Sequence, residues 1–128
     1  MIEQNSSEIP LLTFNSLYNL HREEKKIVSL QKIPEFFYEA LNKFLNDKKN
    51  EIDKFKELND SKNFQKEKLI LKNALTISKE ITNLRCTKIA NIAIKNELFG
   101  EDILSTENIL EKELVFLDGV KKSVKNFK

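Results

Sequence analysis

Histidine and cysteine, two of the side chains that enzymes use most often as bases and nucleophiles, are scarce in this chain. The sequence has one histidine, His21, and one cysteine, Cys86. We therefore expect no histidine-based zinc site, Ser-His-Asp triad or Cys-His dyad, since His21 alone would have to serve any of them. Two carboxylate pairs, Glu23-Glu24 and Glu101-Asp102, consist of adjacent residues. Neighbouring positions point in different directions, so we interpret both pairs as solvated and expect no catalytic site.

The glycine content excludes a phosphate-binding loop. Gly100 and Gly119 are the only glycines and stand far apart, whereas such loops need several glycines in one short segment. Cys86 has no second cysteine with which to form an intrachain disulfide, and we interpret it as a small buried residue in a reducing compartment. The sequence thus predicts no enzyme, no cofactor and no metal site.

Arg85 and Lys88 are the most interesting polar pair, because they lie one turn apart in an otherwise apolar stretch. Long basic side chains can lay their stems on apolar surface while their charged ends reach carboxylates. We expect this pair to form a structural salt bridge, with Glu35, Glu39 or a subunit partner as the acid. The alternative is that the pair binds a ligand.

The overall charge argues against nucleic acid as the main ligand. The chain has 22 basic and 20 acidic residues, mostly interspersed, and a net charge of +2. Nucleic-acid-binding domains usually show a basic face and a clear excess of positive charge. The unopposed basic end of the chain is interpreted as complementing a helix dipole, with weak DNA contact as the alternative; it comprises Lys121, Lys122, Lys125 and Lys128.

The first residues do not form a secretory signal, since they include neither a basic segment nor an apolar one. No apolar run approaches the ~20 residues needed to span a bilayer. We therefore expect a soluble, intracellular protein. Residues 1–10 are polar and are expected to be flexible, and residues 11–128 are expected to form one helical domain.

The scarcity of glycine and proline favours long helices. A first helix is predicted after Thr13 as N-cap, with Leu12 and Leu17 as a hydrophobic staple. The second is predicted to begin at Pro34. The third, from about Lys62 to Leu98, follows an Asn59-Asp60-Ser61 turn and ends at Gly100. The fourth is predicted to start at Ser105 or Thr106.

Two sets of apolar residues on these helices have different expected roles. The seam of the third helix is predicted at Ile70, Ala74, Ile77, Ile81, Leu84, Lys88 and Ile92, with steps of three and four. The fold core is expected to include Phe36, Phe37, Tyr38, Ile81, Leu84, Ile89 and Ile92.

The fourth helix is apolar on two sides, and such a helix is expected to be buried on more than one face.

A partner subunit would supply the second cover for the fourth helix. The residues that we expect at this subunit interface are Ile109, Val115, Phe116 and Val120. The alternative is a compact monomeric bundle with a generous core.

Four segments in order resemble the helical domain of the GINS proteins, accessory subunits of the replicative DNA helicase. The first segment is Tyr18 to Lys26, and the second is Leu30 to Tyr38, which contains Leu-Gln-Lys-Ile-Pro and an aromatic cluster. The third is the pattern Leu-Arg-x-x-Lys-Ile-x-x-x-Ala, formed by Leu84, Arg85, Lys88, Ile89 and Ala93. The fourth is Ser105-Thr106-Glu107. The likeness extends roughly from Leu11 to Phe127. It implies an all-α fold, an elongated bundle of about four to five helices.

The resemblance also implies a function. GINS proteins are non-catalytic scaffolds that form tetramers, bridge the MCM helicase ring and a Cdc45/RecJ-like protein, and stimulate unwinding during DNA replication. The implied location is cytoplasmic and nucleoid-associated in an archaeon, or nuclear in a eukaryote. The chain is similar to the branch that begins with the helical domain, and the small β-rich domain expected after it is absent. Within this resemblance we interpret that absence as either a truncation or a shortened family member.

Two other functions fit the same residues. One is a generic helical adaptor or coiled-coil homodimer unconnected with replication. The other is a helical domain that binds nucleic acid weakly through the lysine-rich end. Self-association without a partner favours the first, and salt-sensitive DNA binding favours the second.

Overall fold

The computed structural model describes residues 11–100 and 102–127, and within these ranges the fold is all-α. Its four helices are α1 (Phe14–Lys26), α2 (Phe37–Glu57), α3 (Ser61–Phe99) and α4 (Glu111–Phe127). The expectation of a flexible segment at residues 1–10 lies outside the described residues. No helix within the described ranges is both long enough and apolar enough to cross a membrane.

The described residues divide into two compact units. The first comprises residues 11–21 and 36–80, and the second comprises residues 22–35, 81–100 and 102–127. Helices α1 and α3 each contribute residues to both units, whereas α2 belongs to the first and α4 to the second.

Helix α1 begins with the capping interaction that the sequence predicts. The Ser16 amide donates to the Thr13 hydroxyl at 3.1 Å, and the Thr13 amide donates to the Ser16 hydroxyl at 2.8 Å. These reciprocal bonds satisfy amides that the helix leaves without an intrahelical acceptor. Leu12 and Leu17, the expected staple, are both buried.

The two ends of α3 lie within a residue of where the sequence predicts them. The Asp60 carboxylate accepts the Asn63 amide at 3.2 Å and so caps the first turn, after Asn59 adopts a left-handed backbone with φ of 55°. At the other end Gly100 has φ of 72°, a conformation that glycine adopts without the steric cost of a Cβ atom.

Helix α2 begins later than predicted. It starts at Phe37 rather than at Pro34, and Phe36 occupies the N-cap position with a non-helical backbone, φ −101° and ψ 37°. Proline is compatible with a first helical turn but does not require one. Here Pro34 belongs to the irregular segment that connects α1 to α2.

Helix α4 also begins later than predicted, at Glu111 rather than at Ser105 or Thr106. The Ser105 hydroxyl accepts the Glu107 amide at 3.1 Å, and the Thr106 carbonyl accepts the Ile109 amide at 3.2 Å. Hydroxyl residues stabilise turns by the same hydrogen bonds that cap helices, and here they form a turn. The Glu113 carboxylate accepts the Leu110 amide at 2.9 Å and caps the helix itself.

The buried apolar residues fall into two groups. Those of the first unit are Leu12, Leu17, Phe37, Ala40, Leu41, Phe44 and Ala74. In the second unit a cluster is formed by Leu30, Ile89, Ile92, Ala93 and Leu117. Ile33 and Ile81 of that unit are also buried. Three members of the expected core, Phe36, Tyr38 and Leu84, are only half-buried.

The buried seam of α3 differs from the predicted one because it contains polar residues. Its buried members are Ala74, Ser78, Ile81, Arg85, Ile89, Ile92, Ala93 and Asn96. Each polar member has a partner: the Ser78 hydroxyl donates to the Ala74 carbonyl at 2.6 Å, and the Asn96 amide group exchanges two hydrogen bonds with the Leu104 backbone. Hydrogen bonds of this kind offset the desolvation cost of burying a polar group, so such residues are tolerated in a seam.

Candidate functional site

Arg85 is completely buried at the centre of the second unit, and all of its donors have acceptors. Its Nε and Nη2 donate to the two oxygens of Glu113 at 2.7 and 2.8 Å, a bidentate pair. Its Nη1 donates to Glu24 Oε1 at 2.9 Å and to the Gln31 carbonyl at 2.7 Å. Its Nη2 also donates to the Asn108 carbonyl at 2.8 Å. A guanidinium has five N–H donors, so none is left for a ligand.

Lys88 lies one turn beyond Arg85 and shares Glu24 with it. The Lys88 ammonium donates to Glu24 Oε2 at 2.6 Å and to the carbonyls of Glu24, Ile27 and Ser29 at 2.6, 2.8 and 3.1 Å. The Glu24 and Ile27 carbonyls lie at the C-terminal end of α1, where a cation complements the helix dipole. Lys88 therefore caps α1 and fixes the segment that follows it.

We call Arg85, Lys88, Glu24 and Glu113 the buried ion network. Its two cations balance its two anions, and no side-chain nitrogen or oxygen that is buried in the described residues lacks a hydrogen bond. Burial by itself would lower the pKa of Arg85, but the hydrogen bonds and charges of Glu113 and Glu24 outweigh it and raise that pKa. The arrangement is that of a structural element, with its hydrogen-bonding capacity used internally.

The acids of this network differ from those expected. The sequence suggested Glu35 or Glu39 as the partner of Arg85 and Lys88, and the structure places Glu24 and Glu113 there instead. The interpretation of Glu23-Glu24 as a solvated pair is wrong for Glu24, which is buried. A signal was present: Glu24 lies seven residues after the buried Leu17, so both fall on the same side of α1.

Glu113 is the second acid of the network and was not singled out from the sequence. It does cap α4, but it is buried and lies four residues before the buried Leu117. A carboxylate at an apolar position of a helical stripe indicates a buried ion pair, because an isolated buried charge would be too costly. The same signal was therefore available in α4 as in α1.

The four residues expected at a subunit interface do not lie on one surface. Ile109 and Val120 are half-buried and pack against the apolar cluster of their own unit. Val115 and Phe116 are exposed, Val115 at 79% and Phe116 at 40%. Exposed apolar surface on α4 thus remains around Val115 and Phe116, with Leu114 beside them, and we call these three residues the outer α4 surface.

The remaining candidate residues show no catalytic arrangement within the described ranges. The His21 ring lies 2.9 Å from a Glu80 oxygen in the first unit. Burial and the nearby Glu113 carboxylate raise the pKa of Cys86, the opposite of what a reactive thiolate needs. No group of three or more potential metal ligands occurs among the described residues.

The basic end of α4 is mostly solvent-exposed. Lys121 lies 3.9 Å from the Asp102 carboxylate, and Lys122 and Lys125 are exposed. Lys128 lies outside the described residues. This placement agrees with charge at a helix C-terminus.

Comparison of the chain with protein-family models, with curated proteins and with solved structures found no significant match.

Proposed function

We propose that this chain is a non-catalytic scaffold subunit of a GINS-type complex that bridges and stimulates the replicative MCM helicase. The proposal rests on the four segments that resemble the GINS helical domain. Its partners would be other GINS subunits in a homo- or heterotetramer, MCM and a Cdc45/RecJ-like protein. Its location would be the archaeal cytoplasm at the nucleoid, or the nucleus of a eukaryote.

The observation that carries the proposal is the convergence of these segments on Arg85. The first segment supplies Glu24, the second supplies the Gln31 carbonyl, and the third supplies Arg85 itself. Asn108, which supplies another carbonyl, follows directly after the fourth segment. Parts of all four segments therefore lie in the second unit, and this supports reading their joint occurrence as the signature of one fold.

The outer α4 surface supports the assembly part of the proposal. Val115 and Phe116 are adjacent and exposed on a helix whose opposite side packs on the core of the second unit. Burying such side chains against another subunit would be favourable by roughly 25 cal/mol per Å² of apolar area removed from water. Isolated exposed apolar residues are common, so the position of Val115 matters more: it lies two residues before the buried Leu117 and therefore on nearly the opposite side of α4.

Affinity purification of the tagged chain from an extract of its own source, with mass spectrometry, tests the proposal. The wild-type chain is expected to recover a second GINS-like subunit or MCM in near-stoichiometric amount. Phe116→Asp is expected to lose this partner while retaining its helical circular dichroism. Tyr18→Asp is the matched control, since Tyr18 is an aromatic residue of the first unit with similar exposure, 49% against 40%.

Other outcomes would contradict the proposal. Recovery of the chain alone as a homodimer would favour the generic helical adaptor. Recovery of nucleic acid that is lost with Lys122→Ala and Lys125→Ala would favour the weak nucleic-acid-binding domain. Unfolding of Phe116→Asp would mean that Phe116 serves the fold and not the assembly.

A further inference from the structure

Helix α3 carries a second exposed surface, which lies in the first unit. Lys68, Lys72, Leu75 and Lys79 follow one another at steps of four, three and four, so they share one side of the helix, and Leu69 lies beside Lys72. All five are exposed, Leu69 at 58% and Leu75 at 46%. We call these five residues the lysine–leucine face. It extends for roughly 16 Å at 1.5 Å per residue.

The acidic residues of this stretch of α3 do not neutralise the face. Glu67 and Glu80 are the only acids between residues 61 and 80. Glu67 accepts a hydrogen bond from the Lys48 ammonium at 2.8 Å, and Glu80 lies 2.9 Å from the His21 ring. Both carboxylates are thus engaged by other helices of the first unit, which leaves the three lysines of the face without an acid of their own helix to offset them.

Four of the five side chains of the face line a shallow groove on α3. The groove has a volume of about 450 Å³, and it is lined by Gln65, Lys68, Leu69, Leu71, Lys72 and Leu75. Three of these lining residues are leucines and two are lysines, with Lys72 between Leu69 and Leu75. Such a groove suits an apolar side chain of a partner that also carries carboxylates nearby to pair with the lysines.

We propose that the lysine–leucine face binds an acidic amphipathic helix of a partner protein. A partner helix with leucines and glutamates at steps of three and four would place its apolar side chains beside Leu69 and Leu75 and its carboxylates beside the lysines. This is the helix-on-helix mode of recognition, in which residues spaced at three and four positions anchor the contact. The inference concerns a different surface from the outer α4 surface and stands independently of the GINS proposal.

The charge of the face and the spacing of its leucines favour an acidic helix over a second copy of the chain, nucleic acid or a lipid surface. A second copy of the same face would bring lysines against lysines, which is unfavourable. Nucleic acid would gain nothing from the two exposed leucines, and the face has no arginine, the side chain suited to bidentate phosphate contact. A lipid surface calls for a continuous apolar face, whereas Lys72 lies between Leu69 and Leu75.

Fluorescence anisotropy of a labelled synthetic helix tests the inference with the full chain. The probe is a capped peptide of Glu, Leu and Ala, with Glu and Leu at the steps of the face. The controls are a scrambled peptide of equal composition and a peptide with Lys in place of Glu. Wild-type protein is expected to bind the patterned peptide in preference to both controls, with affinity that falls as salt screens the charges.

Two charge-reversal variants locate the binding site. Lys72→Glu is expected to weaken binding by about tenfold, equivalent to ~1.4 kcal/mol. Lys49→Glu, which reverses an exposed lysine of α2 in the same unit, is expected to change it far less. The inference is overturned if wild-type protein does not bind the patterned peptide, if scrambled peptide binds equally well, if both variants behave alike, or if duplex DNA or anionic vesicles bind more tightly than the peptide. Circular dichroism of both variants checks that each remains folded.

Discussion

The two units use the same types of charged residue in different ways. In the second unit Arg85, Lys88, Glu24 and Glu113 face inward and satisfy one another. In the first unit the Lys48–Glu67 pair keeps some contact with solvent, and the lysines of α3 face outward. A buried charge without its partner is costly, whereas an exposed pair contributes little. The same residue types are therefore structural in one unit and solvent-exposed in the other.

The largest effect that would sharpen this comparison is expected from Arg85→Met. The change leaves Glu113 without its bidentate partner and removes donors from the carbonyls of Gln31 and Asn108. Breaking a buried ion pair on one side costs about 3–5 kcal/mol. We expect a loss of this size in the free energy of unfolding, measured by urea denaturation.

A double variant distinguishes a lost network from a poorly packed methionine. Arg85→Met with Glu113→Met removes both members of the bidentate pair and leaves the Lys88–Glu24 pair in place. The double variant is expected to be more stable than Arg85→Met alone, because no unpaired Glu113 carboxylate remains. If the double variant loses as much free energy of unfolding as the single variants Arg85→Met and Glu113→Met lose together, Arg85 and Glu113 are not energetically coupled.

A smaller loss is expected from Lys88→Met. The substitution preserves the apolar stem but removes the ammonium group. Glu24 and the carbonyls of Ile27 and Ser29 then lose the hydrogen bonds that this group donates to them. The expected loss is about 2–3 kcal/mol, since a hydrogen bond to a charged group contributes about 1.5–3 kcal/mol and Arg85 still pairs with Glu24. Urea denaturation measures it, and a loss below about 0.5 kcal/mol, typical of surface changes, would place Lys88 outside the structural network.

The Lys48–Glu67 pair of the first unit should show a small dependence of stability on pH. The hydrogen bond from Lys48 is the main cause that lowers the pKa of Glu67 below its ordinary value of 4.5. The stabilisation is therefore present above that value and is lost as the pH falls through the folded-state pKa. We expect about 0.2–1 kcal/mol from this partly exposed pair. Lys48→Met should flatten the acid limb of the stability–pH curve, and an unchanged limb would show that the pair contributes nothing.

The smallest expected effect is on the alkylation rate of the Cys86 thiol, which reports on the second unit. Burial and the Glu113 charge both raise the pKa of its thiol. We expect iodoacetamide to alkylate it more slowly at mildly alkaline pH than it alkylates an unperturbed cysteine. Glu113→Gln removes the charge and should shift the pH profile of alkylation toward lower pH. A profile that does not move would mean that the thiol does not sense Glu113.

Local rules account for what the sequence predicted correctly. The bounds of α1 and α3 follow from Thr13, Asp60 and Gly100, whose chemistry acts over a few residues. The late start of α4 was missed because a hydroxyl at Ser105 stabilises a turn as readily as a helix. Local chemistry does not distinguish the two, and the choice depends on what the following residues pack against.

The network around Arg85 could be predicted only in part. The positions of Arg85 and Lys88 in an apolar stretch indicated a structural role, but the choice of acids depends on tertiary structure. Glu24 lies 61 residues from Arg85 in the chain and Glu113 lies 28 residues away. Separations of this kind are not encoded in helical periodicity. The most useful local clue was a carboxylate at an apolar position of each helix.

We propose that the outer α4 surface serves assembly, whereas the buried ion network serves the fold. The most direct test is the mass in solution, measured by light scattering, of wild-type and Phe116→Asp chains co-expressed with the subunit that the wild-type chain captures. The wild-type chain is expected to elute with that subunit at a mass above its own 15.0 kDa. The variant is expected to elute alone at the mass of the single chain. Equal masses for the two samples would contradict the claim.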